Sequence, residues 1–156
     1  MKNSKSNTVC YCKKIQSDFE FQHKNHSIVS FKDKGHATEY RYVNQSNHHL
    51  AKYIVDNGLI KDSGDKCDFL MLNCELKQSY FIELKGSDLI HAVEQIDRSI
   101  DLIKGSLPEF SFYARIVVTR VNTIDQKSIK LLRLEKKLKS LNGNLKKQSR
   151  LLEEKI

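Results

Sequence analysis

No stretch of this sequence holds 18 or more consecutive apolar residues, so no membrane-spanning helix is expected. The amino terminus, MKNSKSNTVCYCKK, lacks the apolar centre of a secretory signal, which makes the cytoplasm the default location. Proline occurs once, at Pro108, and no low-complexity linker or internal repeat divides the chain. The 156 residues are therefore read as one domain, 1–156, with its core at about 35–141. Cysteine is sparse: Cys10, Cys12, Cys67 and Cys74. Neither the length nor the amino terminus fits a secreted disulfide miniprotein, so free thiols are expected, with Cys67 partly buried in a strand. Acidic residues are outnumbered, 19 to 27 Lys and Arg, giving a formal charge of +8. Such a balance says nothing about fold but suits a polyanionic partner such as DNA or RNA.

What the sequence does contain is organised around Lys66–Gln95, KCDFLMLNCELKQSYFIELKGSDLIHAVEQ. Two apolar runs, Lys66–Asn73 and Ser79–Gly86, read as neighbouring antiparallel strands joined by a hairpin link at Cys74–Gln78. Side chains alternate along a strand, so Glu83 and Lys85 share a face, and the hairpin sets Asp68 beside them. Charges at the end of an apolar sheet are costly unless paired or bound to a metal. Two hard carboxylate oxygens suit Mg²⁺, with Mn²⁺ as an alternative, and a lysine beside them can orient a water or offset phosphate charge. Ser87 or Asp88 caps a following helix whose apolar stripe is Leu89, Val93, Ile96, Ile100 and Ile103. Gly105 and Pro108 end it. Gln95 lies off that stripe and leans toward Lys85.

The order Asp68 … Glu83-Leu84-Lys85, with the lead-in Tyr80-Phe81-Ile82, Gly86 directly after and a helix carrying Gln95, resembles the PD-(D/E)xK nuclease superfamily. Cys67 stands where the family name has proline. The resemblance covers Lys66–Ile103. It implies a restriction-endonuclease-like or Holliday-junction-resolvase-like α/β core, a mixed β-sheet flanked by helices. It also implies a metal-dependent nuclease acting on nucleic acid, DNA in preference to RNA. Asp68 and Glu83 would be ligands, with the Leu84 carbonyl as a further one. Lys85 and Gln95 would complete the catalytic set; enzymes of this kind often pair as homodimers to cut two strands, although this sequence shows no dimer face. Many members place a glutamate on a helix before the core sheet; Glu39 is the candidate here.

The flanking regions read less clearly. Thr8–Ile15, Asp18–His23 and Ser27–Lys32 alternate as strands, with Lys24-Asn25-His26 as a hairpin turn, making a β-rich amino-terminal extension. Cys10-x-Cys12 and His23-x-x-His26 have spacings found in zinc sites, and also suit plain strands. Glu39-Tyr40-Arg41-Tyr42 is open to a helix, and Leu50–Val55 to helix or strand. Phe110–Val121 is a strand, parallel to that of Glu83 by virtue of the intervening helix. Asp125–Leu141 is an amphipathic helix with Ile129, Leu132, Leu138 and Leu141 inward. Asn144–Ile156 is strand or helix. Lys136, Lys137, Lys146 and Lys147 are the candidate phosphate contacts. A different class remains in play: a nuclease fold that no longer cleaves and instead binds nucleic acid or a protein in a repair or defence system.

Overall fold

The computed structural model describes residues 19–23, 26–33, 35, 37–121 and 128–156. Among the described residues nine strands and two α-helices run in the order β1 (Phe19–His23), β2 (Ile28–Lys32), β3 (Glu39–Val43), β4 (Leu50–Ile54), β5 (Phe69–Asn73), β6 (Gln78–Lys85), α1 (Leu89–Ile103), β7 (Ser111–Val118), α2 (Ile129–Ser140), β8 (Leu145–Ser149) and β9 (Leu151–Lys155). The protein is α/β with mixed sheets. A six-stranded sheet has the order β1-β4-β5-β6-β7-β8, and a three-stranded sheet the order β2-β3-β9.

The β5–β6 hairpin pairs antiparallel, Phe69 opposite Ile82 and Asn73 opposite Gln78. Positive φ at Lys77 (51°) turns the chain between the two strands. Strand β7 then joins β6 in parallel, with Lys85 opposite Val118. A parallel neighbour needs a crossover, and α1 supplies it. Asp88 caps that helix, its carboxylate accepting the His91 N–H at 2.9 Å. The expected stripe is buried throughout: Leu89, Val93, Ile96, Ile100 and Ile103.

Two apolar cores share the large sheet. Phe81, Ile116 and Val118 pack with the stripe of α1 and with Leu131, Leu134 and Leu138 of α2. On the opposite face Met71, Tyr80, Ile82, Leu84 and Val117 pack with Val29, Phe31, Tyr40, Tyr42 and Leu152 of the small sheet. Among the described residues helices thus cover one face only. The second is covered by strands from both ends of the chain, so the amino-terminal strands are built into the sheets rather than appended to them. Arg115 on β7 crosses this second core to Glu154 on β9, and Tyr40 donates to the same carboxylate at 3.0 Å. Burial would raise the Glu154 pKa, but Arg115, Lys146 and Tyr40 outweigh it and hold it below the usual range.

Several expectations are corrected. Strands β1 and β2 do not form a hairpin: β1 pairs with β4 and β2 with β3, in different sheets. Glu39-Tyr40-Arg41-Tyr42 is strand, because alternate burial of Tyr40 and Tyr42 fills the second core. On α2 the inward face is Leu131, Leu134 and Leu138, while Ile129 and Leu132 are 66% and 54% exposed. The tail forms two strands, and the left-handed φ of 65° at Arg150 swings it from one sheet to the other within a single residue. Cys67 is a fully buried free thiol, whereas Cys74 is disulfide-bonded, contrary to the expectation of free thiols throughout. Thr8–Ile15, Cys10, Cys12 and the His23 side chain lie outside the described residues, and with them the zinc reading. Among the described residues no helix is long and apolar enough to cross a membrane.

Candidate active site

The carboxyl ends of β6 and β7, the start of β5 and the end of β2 meet at one edge of the sheets. In open α/β sheets, ligands bind beyond the carboxyl ends of the parallel strands. Glu83 and Lys85 share the side of β6 that carries Phe81, which faces α1. Glu83 is 2% exposed and Lys85 about a quarter exposed.

Asp68 and Glu83 clasp each other's strands. The Glu83 carboxylate accepts the Asp68 N–H at 3.0 Å, and the Asp68 carboxylate accepts the Leu84 N–H at 2.9 Å. Leu84 therefore shows an amide role at the site, alongside the carbonyl ligand that the sequence suggested. The Lys85 ammonium stands 3.9 Å from Glu83 and donates to Gln95 Oε1 at 2.9 Å. Gln95 in turn donates to the Lys66 carbonyl at 3.0 Å, and Ser99, one turn on, accepts the Cys67 N–H at 2.8 Å. Helix α1 thus fixes both the lysine and the segment that delivers Asp68. The structure brings Asp68, Glu83, Lys85 and Gln95 together.

The electrostatics are those of crowded carboxylates. Burial pushes Asp68 up to about 6, the Leu84 N–H working against it and Asp33 adding to it. Burial, followed by repulsion from Asp68, pushes Glu83 up to about 9, with Lys85 opposing. Without a cation, one proton rests on this pair near neutral pH. Asp33 and Asp56 both add to the negative field on Asp68. Sequence reasoning missed these two. Asp33 follows β2 and, with Lys32, Asp68 and Phe69, lines a cleft of about 280 Å³. Asp56 lies in the turn after β4, its carboxylate 3.5 Å from Lys66. Each comes from a loop whose neighbours are set by strand pairing, and no local pattern marks them.

A hard divalent cation fits this donor set: two carboxylates converge in a buried place where both resist ionisation, and a cation relieves that resistance. A second group, Asp65, His91 and Glu94, also offers ligand atoms within 4.8 Å of one another and could hold a metal. It is more exposed, and Glu94 is already bonded to Lys130.

Glu39 does not join the site. It lies on β3, where its carboxylate accepts from Ser30 and from Arg41. Among the candidate phosphate contacts, Lys137 is bonded to Asp97 and Asp101 at 2.7 Å each, and Lys146 to Glu154 at 2.8 Å. Lys136 is exposed and Lys147 half-buried. No protein-family model, curated protein or solved structure matches this chain.

Proposed function

We propose that the protein is a metal-dependent nuclease of the PD-(D/E)xK, restriction-endonuclease-like type, hydrolysing phosphodiester bonds in nucleic acid, DNA in preference to RNA. The observation that carries this reading is the buried pair Asp68 and Glu83, each clasped to the other's strand, with Lys85 beside them and steered by Gln95. Structural carboxylates are ordinarily paired with cations, as Glu154 is with Arg115. Glu83 has one cation near it, Lys85 at 3.9 Å, yet burial and the neighbouring carboxylate still hold both Asp68 and Glu83 above the usual carboxylate range, a pattern that clusters at functional sites.

Asp68 and Glu83 would hold Mg²⁺, or Mn²⁺ in its place, with Leu84 as a further ligand through its carbonyl. The ion supplies polarisation of the phosphate and a more acidic water. The residues of the chain do the rest. Lys85 places an ammonium on the open side of Glu83, where it orients a water and offsets charge that grows on the phosphate. Gln95 holds that ammonium and so fixes its distance from the carboxylates. The apolar surroundings, Cys67 and Phe81 among them, lower the local dielectric and strengthen each of these interactions.

The test is incubation of the purified protein with plasmid, linear, single-stranded and branched DNA and with RNA, in Mg²⁺, Mn²⁺ or EDTA. Nicking or degradation with either metal and none in EDTA is expected. Tight nucleic-acid binding with no cleavage in either metal would favour the non-cleaving module.

A further inference from the structure

Beyond Asp68 the surface continues into a second recess of about 370 Å³, lined by Lys32, Asp33, Ala37, Thr38, Glu39, Arg150 and Leu151. It shares Lys32 and Asp33 with the cleft at Asp68, so the two form one groove. Three features mark the recess. Thr38 is 3% exposed, and its hydroxyl oxygen is buried with no hydrogen-bond partner. A buried hydroxyl left unpaired is unusual and calls for a partner. Secondly, among the described residues neither the Lys32 nor the Arg150 side chain has a hydrogen-bond or ion-pair partner, whereas both carboxylates are engaged: Asp33 accepts the Gly35 N–H at 3.1 Å, and Glu39 is bonded to Ser30 and Arg41. The recess therefore holds two cations without a direct hydrogen bond or ion pair, Lys32 acting on Glu39 at longer range, beside two carboxylates whose oxygens are already engaged.

The third feature is Arg150 itself. Its φ of 65° is a conformation that favours glycine or asparagine, yet a long cationic side chain stands there. The turn is anchored on both sides, the Arg150 N–H donating to the Val118 carbonyl and its carbonyl accepting the Glu39 N–H, each at 2.8 Å. Val118 is the partner of Lys85 across the sheet. Arg150 is thus held two strands from the candidate lysine, roughly 10 Å at about 4.8 Å per strand.

We propose that this recess is a phosphate subsite for a nucleic-acid strand, where Lys32 and Arg150 flank, and the Thr38 hydroxyl donates to, a phosphate neighbouring the one presented to Asp68 and Glu83; the placement of that neighbour rests on the nuclease reading. Among the described residues the lining holds no aromatic ring to stack a base and no side-chain amide to read one. It binds backbone, and so contributes affinity without sequence preference. Its continuity with the Asp68 cleft sets the direction in which the strand crosses the sheet edge.

The experiment measures binding of a short fluorescein-labelled DNA, single-stranded and duplex, by anisotropy in EDTA across a salt series. Lys32→Gln and Arg150→Asn are compared with wild type, asparagine being chosen because it tolerates the left-handed turn. Each should lower the log–log salt slope by about 0.9 for duplex or about 0.7 for single strand. Thr38→Val should weaken binding with the slope kept, while the melting temperature of the free protein holds or rises, since it removes an unpaired hydroxyl. Magnesium affinity, followed by calorimetry, should be unchanged in all three. Unchanged slopes in a protein that still cuts with Mg²⁺ overturn the subsite alone. Slope changes in a wild type that never cuts support the subsite and count against the nuclease. Free nucleotide lost from the variants with DNA slopes unchanged would also overturn it.

Discussion

Glu83→Gln should raise the melting temperature of the metal-free protein near pH 8 by about 3 °C or more, at about 2–4 °C per kcal/mol for a chain of this size, while abolishing both metal binding and cleavage. The sign follows from the raised pKa values. A carboxyl whose folded pKa lies above its unfolded value binds more protons folded than unfolded. It stabilises fully below about pH 4, and that contribution is lost as pH climbs through the folded value. For Asp68 the loss runs from about pH 4 to about 6, and for Glu83 on to about 9. Stability of the metal-free protein should therefore fall from pH 5 to pH 9, unlike that of a protein held by ordinary ion pairs. Glutamine keeps the acceptor for the Asp68 N–H and stays neutral, so it removes the loss. Asp68→Asn should do the same over the lower part of the range. Differential scanning fluorimetry at several pH values, with and without Mg²⁺, reads all of this. A Glu83→Gln protein less stable than wild type at pH 8 without metal would show the carboxylate to be a structural anchor.

Lys85→Ala should lower cleavage by about 100-fold or more, the scale of a positioned acid–base or charge-stabilising group. It removes no ligand. Lys85 does favour the ionised form of Glu83, so its loss should weaken Mg²⁺ binding near neutral pH and leave it restored at higher pH. The cleavage defect should persist where metal binding has recovered, and that separation distinguishes a catalytic lysine from one that merely tunes Glu83. Gln95→Ala frees the ammonium from its 2.9 Å partner and should cost about 10- to 100-fold, as supporting contacts in metal sites do. Full activity in Lys85→Ala would refute the role assigned to it.

The site was legible in the sequence because its parts are local. Asp68, Glu83, Lys85 and Gln95 lie on β5, β6 and α1 or at their ends, consecutive elements joined by a short hairpin and a short cap, and period-two and period-3.6 patterns place them unaided. Its surroundings were not legible, because long-range pairing decides them. Strands β1 and β2 alternate alike whichever neighbour they join, and only the remote β4 and β3 settle the matter. Helix α2 carries two apolar sets, Ile129 and Leu132 or Leu131 and Leu134, and the packing of α1 and β7 selects the second. Lys137 reads as a free cation until Asp97 and Asp101 of α1 are brought against it, and Lys146 until β9 delivers Glu154. Asp33, Thr38 and Arg150 come together through the pairing of β3 with β9 and the single-residue turn before it, which no local pattern announces.

Titration calorimetry of the metal-free protein with Mg²⁺ or Mn²⁺, near pH 7 and in buffers of different ionisation enthalpy, tests the central claim most directly. Glu83 carries a proton at that pH until a cation displaces it, so binding should release about one proton per site, and Glu83→Gln should show no binding. Binding of equal affinity in Glu83→Gln, or none in the wild type at millimolar metal, would contradict the assignment of Asp68 and Glu83 as a metal centre.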